Sequence, residues 1–355
     1  MTGVASNKAT PRFLRCIGID YSGAESPEAS LKGLRIYQAE NGGLPTEIFP
    51  PPGNRKYWSR HGVAEWLVDT LKDGLPTIVG IDHGFSMPLA YFERHHLRKD
   101  WVSFLDDFCQ HWPTDSRSVY VDFIREGLLG NGAKRSGERN WRRYTELAAG
   151  SAKSVFHFDV QGSVAKSTHA GLPWLRFIRK RLPQVHFWPF DGWQPAEQAT
   201  VIVEAYPRLC SAAYNTEDRT PDQHDAYSVA RWLSEATASG EIDTLLQPPL
   251  EQDIARAAAV EGWILGAVWG TQATPEKRWD TSRSPTKGRT TEIGFINRNN
   301  QEVIRRTKLA GNDHNQTVYE LLCRNCANIY GANGSDIFQR RCPACDRGAA
   351  GLSID

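Results

Sequence analysis

The chain is 355 residues long, with 42 Lys/Arg against 41 Asp/Glu and a formal net charge of +1. That length allows two domains, and the ordinary apolar and charged fractions describe a globular chain with a core of normal size. A net charge near zero excludes a bulk electrostatic demand for a polyanionic partner. The charge is unevenly placed: residues 271–355 carry more Lys/Arg than Asp/Glu, and residues 1–270 carry the reverse. A slightly acidic body with a mildly basic tail suits a catalytic domain with an appendage that faces nucleic acid. No apolar run is long enough to span a bilayer, Trp263–Trp269 being too short, and the N-terminus lacks a charged-then-apolar signal pattern. Cys16, Cys109 and Cys210 lie in apolar surroundings and read as small buried hydrophobes, so a reduced, cytoplasmic protein with no membrane association is expected.

Residues 1–12 are polar and read as a frayed tail. FLRCIGID, from Phe13, is a short β run ending at Asp20, and Leu34–Gln38 predicts the next strand. Residues 41–56 hold Gly, Pro and Asn and predict a loop. Val63, Trp66, Leu67, Thr70 and Leu71 repeat at helical spacing. TIVGID, Thr77–Asp82, predicts a second buried strand that also ends in an acid, and residues 89–111 predict a helix. In the segment 113–170, Gly130, Gly132 and Gly137 with Lys134, Arg135 and Arg139 suggest a mobile basic loop.

Pro173–Leu182 predicts an amphipathic helix bearing Arg176, Arg179, Lys180 and Arg181. Two strands follow, Gln184–Trp188 and Thr200–Glu204, around the loop WPFDGWQP. Asp222–Glu235 predicts a helix opened by Pro221 with acids in its first turn, as helix N-termini prefer. A last helix over Ile254–Trp269 closes the body. Residues 271–290 predict a linker, and GFINRNNQEVIRRT a hairpin. Twelve tryptophans are many. Trp58, Trp141 and Trp193 sit in polar contexts, where they either pack on the surface or stack on bases.

Two constellations carry chemistry. The first is Cys323-x₂-Cys326, fifteen residues, then Cys342-x₂-Cys345. Two such knuckles complete a closed four-sulfur shell, and the spacing is that of a zinc ribbon, so the metal expected is one structural Zn²⁺. His314 lies outside the knuckles and is not expected to ligate. The nearby Arg305, Arg306, Lys308, Arg340 and Arg341 are either a nucleic-acid face or simply solvated.

The second is acidic. Three predicted strands end in a carboxylate, Asp20, Asp82 and Glu204, and a helix start adds Asp222 and Asp225. The carboxyl ends of strands in an open α/β sheet form its ligand crevice. Acids gathered there repel one another unless a cation lies among them, and oxygen ligands suit Mg²⁺ or Mn²⁺. Two such ions can activate water and stabilise a leaving oxygen in phosphodiester cleavage. His83 and His224 each neighbour a proposed ligand and are either general-acid candidates or rim residues.

CIGIDYSGA, TIVGIDHGFSMP, VIVEAYP, HDAYSVARWL and EGWILGA, in this order over residues 14–270, resemble an uncharacterised family of predicted RNase H-fold nucleases. The D-x-x-D opening at Asp222 and Asp225 is similar to that of RuvC-type resolvases. The resemblance implies an α/β fold, an RNase H-like mixed β-sheet flanked by helices over residues 13–270, followed by a small β-rich zinc-ribbon domain over 291–355. It also implies a metal-dependent nuclease acting on DNA or RNA. Asp20 would bridge the metals, and Asp82, Glu204 and Asp225 match the remaining ligand positions, with the closer of Asp82 and Glu204 left open. Two other functions fit parts of the pattern. Asp82-His-Gly-Phe-Ser fits the phosphate hairpin of actin-like and sugar-kinase ATPases, although Asp20-Tyr-Ser-Gly fits that class poorly. A non-catalytic nucleic-acid-binding protein is the third.

Overall fold

The computed structural model describes residues 11–53, 55–159, 164–269, 290–313, 316–326 and 328–354. The chain divides into two compact units, Met1–Trp269 and Gly270–Asp355. Of the expected tail only residues 11 and 12, and of the expected linker only Thr290, fall within the described residues; His314 lies outside them.

In chain order the larger unit comprises β1 (Arg15–Asp20), β2 (Arg35–Glu40), β3 (Thr46–Glu47), α1 (Arg60–Leu71), β4 (Thr77–Asp82), α2 (Leu89–Arg94) and α3 (Trp101–His111). It continues with α4 (Val121–Arg125), α5 (Tyr144–Ala148), α6 (Val164–Arg181), β5 (His186–Phe187), β6 (Val201–Glu204), α7 (Pro221–Ser239), α8 (Glu241–Leu245) and α9 (Gln252–Glu261). The strands form one mixed sheet in the order β3-β2-β1-β4-β6-β5. β1, β4, β6 and β5 run parallel, whereas β2 is antiparallel to β1 and to β3. The central strands are apolar on both faces because helices cover both. On one face Ile17, Ile19, Val79 and Ile81 pack with Val63 and Leu67 of α1 and Leu172, Leu175 and Ile178 of α6. On the other, Cys16, Ile78 and Val203 pack with Val229, Leu233 and Ala236 of α7 and with Ile254 and Ala258 of α9.

Several boundaries differ from expectation. The helix expected over 89–111 is two helices. The backbone turns left-handed at His96 (φ 52°), and Asp100 caps the second by accepting the Ser103 amide at 2.8 Å. α6 starts well before Pro173, which sits inside it. Proline lacks the N–H that would bond the carbonyl four residues back. That carbonyl, on His169, instead accepts the hydroxyl of fully buried Thr114 at 2.7 Å, so the helix continues. α9 stops at Glu261, not Trp269, because Gly262 takes φ 81°. The apolar run after it lies beside β6, with Ile264 bridging to Glu204 and the Leu265 amide donating to the Glu204 carbonyl at 2.9 Å.

The loop around residues 130–139 is anchored. Gly132 lies against Trp112 and Gly137 against Phe156, while Arg135 pairs with Asp107 at 2.8 Å. Trp58 is buried and donates its indole N–H to the Ile48 carbonyl at 2.8 Å; Trp141 and Trp193 are half-buried. All three pack rather than stand free.

The smaller unit holds β7 (Gln301–Ala310), β8 (Thr317–Cys323) and β9 (Ile329–Asn333) in an antiparallel sheet of that order. The hairpin expected within residues 294–307 is present in short form: the Gly294 amide bonds the Val303 carbonyl at 2.7 Å, the Val303 amide the Phe295 carbonyl at 2.9 Å and the Asn297 amide the Gln301 carbonyl at 3.0 Å, and its second arm opens β7, which also pairs with β8. Among the described residues no helix is long and apolar enough to cross a membrane.

Gly18 of β1 and Gly80 of β4 are register partners on the face that α7 covers. A Cβ on Gly18 would stand 2.2 Å from the Ala226 carbonyl oxygen and 2.5 Å from the Ala230 nitrogen; one on Gly80 would stand 2.7 Å from Val229 Cγ1. The contact at Gly18 is helix backbone and cannot give way by a rotamer change. Gly18→Ala is therefore expected to cost about 1–3 kcal/mol of stability through overpacking. Denaturant unfolding of the two proteins measures it, and equal stability would mean that α7 is free to shift.

Candidate metal centres

The β1–β4 register carries the acidic site. Side chains alternate between the two faces of a sheet, so residues two apart share a face. Asp20 and Asp82 follow Gly18 and Gly80 by two and are themselves register partners, so both stand on the α7 face at the carboxyl ends of adjacent parallel strands. α7 is capped there by Thr220, whose hydroxyl accepts the Gln223 amide while the Gln223 side chain accepts the Thr220 amide. Pro221 fits the first helical position because its missing N–H would have no partner there. This capping box fixes the first turn, and Asp222 and Asp225, three apart, share one helix face. Asp222 lies against the loop before β2, its carboxylate 3.7–3.9 Å from where a Cβ on Gly33 would stand.

The electrostatics reflect this crowding. Burial, and then the charges of Asp82, Asp222 and Asp225, push the Asp20 carboxyl well above the ordinary range. Asp82 is pushed up to about 8 by burial, then by Asp225 and Glu204. Burial raises Asp225, with Asp222 adding to the effect and His224 and Arg208 opposing it. Groups raised in this way favour either a proton or a cation. Aspartate oxygens in this number are the donor set of a hard divalent ion. Their spacing is looser than one coordination shell. Among the described residues the four cysteines are the group of three or more ligands whose atoms all lie within 4.8 Å of one another.

Glu204 does not join them. It pairs with Ile81, one residue before Asp82, and so belongs to the opposite face. A one-residue offset in register reverses the side a strand residue faces. There Glu204 is 3% exposed. Its oxygens accept both terminal nitrogens of Arg143, at 2.6 and 2.7 Å, and the Phe85 amide at 3.0 Å. Its expected role as a Mg²⁺ ligand is corrected: it is the carboxylate of a buried ion pair.

Arg143, Glu146 and Glu261 complete a network that the linear sequence did not reveal. Arg143 Nε donates to Glu146 at 2.8 Å and Nη1 to the Glu261 carbonyl at 3.1 Å. Glu261 accepts the amides of Leu89 and Tyr144, at 2.6 and 2.8 Å, so one carboxylate caps the starts of both α2 and α5. The one local signal was Glu146 three residues after Arg143, the spacing of a helix-start box.

The residues after Asp82 are equally committed. The Gly84 amide donates to Thr168 Oγ1 at 2.9 Å, the Phe85 amide to Glu204, and Ser86 Oγ to the Val260 carbonyl at 2.7 Å. The groups a phosphate hairpin would offer its ligand are thus spent inside the fold. His83 is buried between Tyr21 and Phe85, its ring centroid 4.6 and 5.2 Å from theirs, and burial lowers its pKa to about 4. It is a neutral core residue and is removed from the general-acid candidates. His224 is half-buried beside Asp225, and its Nε2 faces the Ser211 carbonyl at 3.2 Å.

The basic stripe on α6 is paired too. Asp191 grips Arg179 at both terminal nitrogens, 2.7 Å each, and Asp106 takes Arg176 at 2.5 Å.

In the smaller unit the four cysteines converge. Cys323 ends β8 and is fully buried with Cys342, while Cys326 and Cys345 are half-buried. The sulfurs of Cys323 and Cys345, and of Cys326 and Cys342, are 3.5 Å apart. Four thiolates about 2.3 Å from one tetrahedral ion would stand about 3.8 Å apart, so the cluster is close enough to bind a metal ion and is compatible with structural zinc. Donors already face the sulfurs: the Ala344 amide reaches Cys342 at 3.4 Å, and Gln301 Nε2 reaches Cys323 at 3.5 Å. Such bonds orient ligands and offset thiolate charge.

Two outcomes are expected. Protein purified without chelator contains about one tightly held zinc per chain, and Cys342→Ser loses it; metal analysis finding none in the wild type would contradict the site. The second concerns pH. Burial raises Glu261 from 4.5 to about 7, so over that window the folded state keeps a proton that the unfolded state releases. Stability contributed by this group therefore falls as pH rises across the window. Glu261→Gln should show a shallower fall in unfolding free energy there than the wild type, and an unchanged slope would contradict the assignment.

No protein-family model, no curated protein and no solved structure matches this chain.

Proposed function

We propose that the larger unit is an RNase H-like, metal-dependent nuclease that hydrolyses phosphodiester bonds of DNA or RNA, and that the smaller unit is a ribbon built on structural zinc. One observation carries the reading. Asp20 and Asp82 are register partners at the ends of adjacent parallel strands, and the first turns of α7 bring Asp222 and Asp225 to the same place. The mixed sheet covered by helices on both faces is the framework this reading asks for.

When bound there, Mg²⁺ or Mn²⁺ would supply an activated water and charge stabilisation for a leaving oxygen. The chain's own part is to hold the ligands. Asp20 feels Asp82, Asp222 and Asp225 together, so it would be the central carboxylate among the residues that would hold the metal. Asp82, Asp222 and Asp225 complete the set, Asp222 acting on Asp20 ahead of Asp225, and Asp225 acting on Asp82. His224, partly exposed beside Asp225, is the residue available to pass a proton. The Arg143–Glu204 pair holds the loop after Asp82 through the Phe85 amide and so steadies that ligand from the far face. The kinase-like alternative loses support because the amides it needs are already bonded.

The test is incubation of the purified chain with labelled single-stranded, duplex and branched DNA and RNA, with and without Mg²⁺ or Mn²⁺. Cleavage is expected only with metal. Asp20→Asn keeps size and removes charge, so the fold should survive while activity falls on the order of a hundredfold or more, the scale of losing several kcal/mol of transition-state charge stabilisation. Ca²⁺ should bind without supporting turnover, because its looser coordination misplaces the attacking water. Full activity in Asp20→Asn would sink the mechanism. Metal-dependent ATP hydrolysis without any cleavage of nucleic acid would restore the kinase-like alternative.

A further inference from the structure

We propose that Phe338 and Arg298 form a stacking platform for a base of single-stranded nucleic acid on the smaller unit. Phe338 is 52% exposed, although its neighbour Ile337 is fully buried. A lone exposed aromatic is ordinary. Phe338 differs in how firmly it is held. It lies in the turn after β9, where the Asp336 amide bonds the Asn333 carbonyl at 3.0 Å and the Gln339 amide bonds the Asp336 carbonyl at 3.1 Å. A second loop is stapled to that turn. Buried Asn297 donates its side-chain amide to the carbonyls of Ile337 and Arg340, at 2.6 and 2.8 Å, and Asn299 donates to the Gln339 carbonyl at 3.0 Å.

Arg298 stands between these two anchoring asparagines. Its guanidinium is therefore delivered to the ring and lies 5.7 Å from the Phe338 centroid. Exposed Arg341 follows the same turn, immediately before Cys342 of the metal cluster.

An exposed ring on a rigid turn, with a guanidinium beside it, is the chemistry that recognises an unpaired base together with its phosphate. Stacking uses the π-face that every base presents, so sequence preference should be weak. A duplex hides those faces inside its own stack, which selects a single strand. The platform shares the nucleic-acid partner of the proposed function but needs no cleavage.

The experiment is fluorescence anisotropy of labelled single-stranded DNA and RNA oligonucleotides of mixed sequence against the full chain with its cysteine-bound metal, with no Mg²⁺ or Mn²⁺ added. Phe338→Ala should weaken binding about tenfold, and Phe338→Trp should preserve it. Arg298→Gln should weaken binding several-fold and make its salt dependence shallower by about one phosphate contact. Unchanged metal content and melting temperature in Phe338→Ala will show that the unit still folds. Wild-type affinity in Phe338→Ala overturns the platform, and so does a wild-type chain that binds no single strand. Binding by the wild type and its loss in Phe338→Ala, with no cleavage when Mg²⁺ is later supplied, would uphold the platform and count against the nuclease reading alone.

Discussion

The close approach of α7 to the β1–β4 pair is the constraint on which the acidic site depends. Gly18 and Gly80 face each other across that pair and leave no side chain between strand and helix. Ala226, Val229 and Ala230 fill the gap from the helix side. Because strand side chains alternate, the residues two beyond the glycines, Asp20 and Asp82, emerge on the same face, at the point where α7 begins. The glycines thus set the depth at which the helix lies, and the capping box at Thr220 sets where its acids start. A bulkier residue at either glycine would lift Asp222 and Asp225 away from the strand-end acids without touching a carboxylate.

The far face of the sheet supplies the support. Arg143, Glu204 and Glu146 form a buried ionic network, and with the Glu261 carbonyl accepting from Arg143 and the Glu261 carboxylate accepting the Tyr144 amide it ties α5, the end of β6 and the end of α9 to the loop following Asp82. Removing one partner of such a pair strands an uncompensated charge, which commonly costs about 3–5 kcal/mol. The network explains why a carboxylate can sit beside a candidate metal centre and remain outside it: a guanidinium already satisfies Glu204. The two acidic groups therefore differ: in one, aspartates raise one another's pKa, and the other is closed around an arginine.

Much of this was legible from residue order. The apolar runs ending in Asp20 and Asp82 became adjacent strands, D-x-x-D opened α7, and the cysteine spacing produced one cluster, because each signal is local. What was not legible depended on partners distant in the chain. Glu204 ends an apolar strand as the two aspartates do, but its face is decided by register with β4, and its partner Arg143 lies 61 residues away. The continuation of α6 through Pro173 likewise depends on Thr114 from another segment. Trp263–Trp269 reads as apolar at any period, and the positive φ at Gly262 ends the helix, so that the run makes one bridge to β6 at Ile264 and then turns.

In the proposed reading Asp20, Asp82 and Asp225 hold a divalent cation at a site distinct from the cysteine cluster. Calorimetric titration of Mn²⁺ into the full chain, with the cysteine site already filled by zinc, measures that binding. Saturable binding is expected in the wild type, with Asp82→Asn markedly weaker and Glu204→Gln close to the wild type. Absence of binding in the wild type, or an Asp82→Asn isotherm that matches it, would contradict the claim.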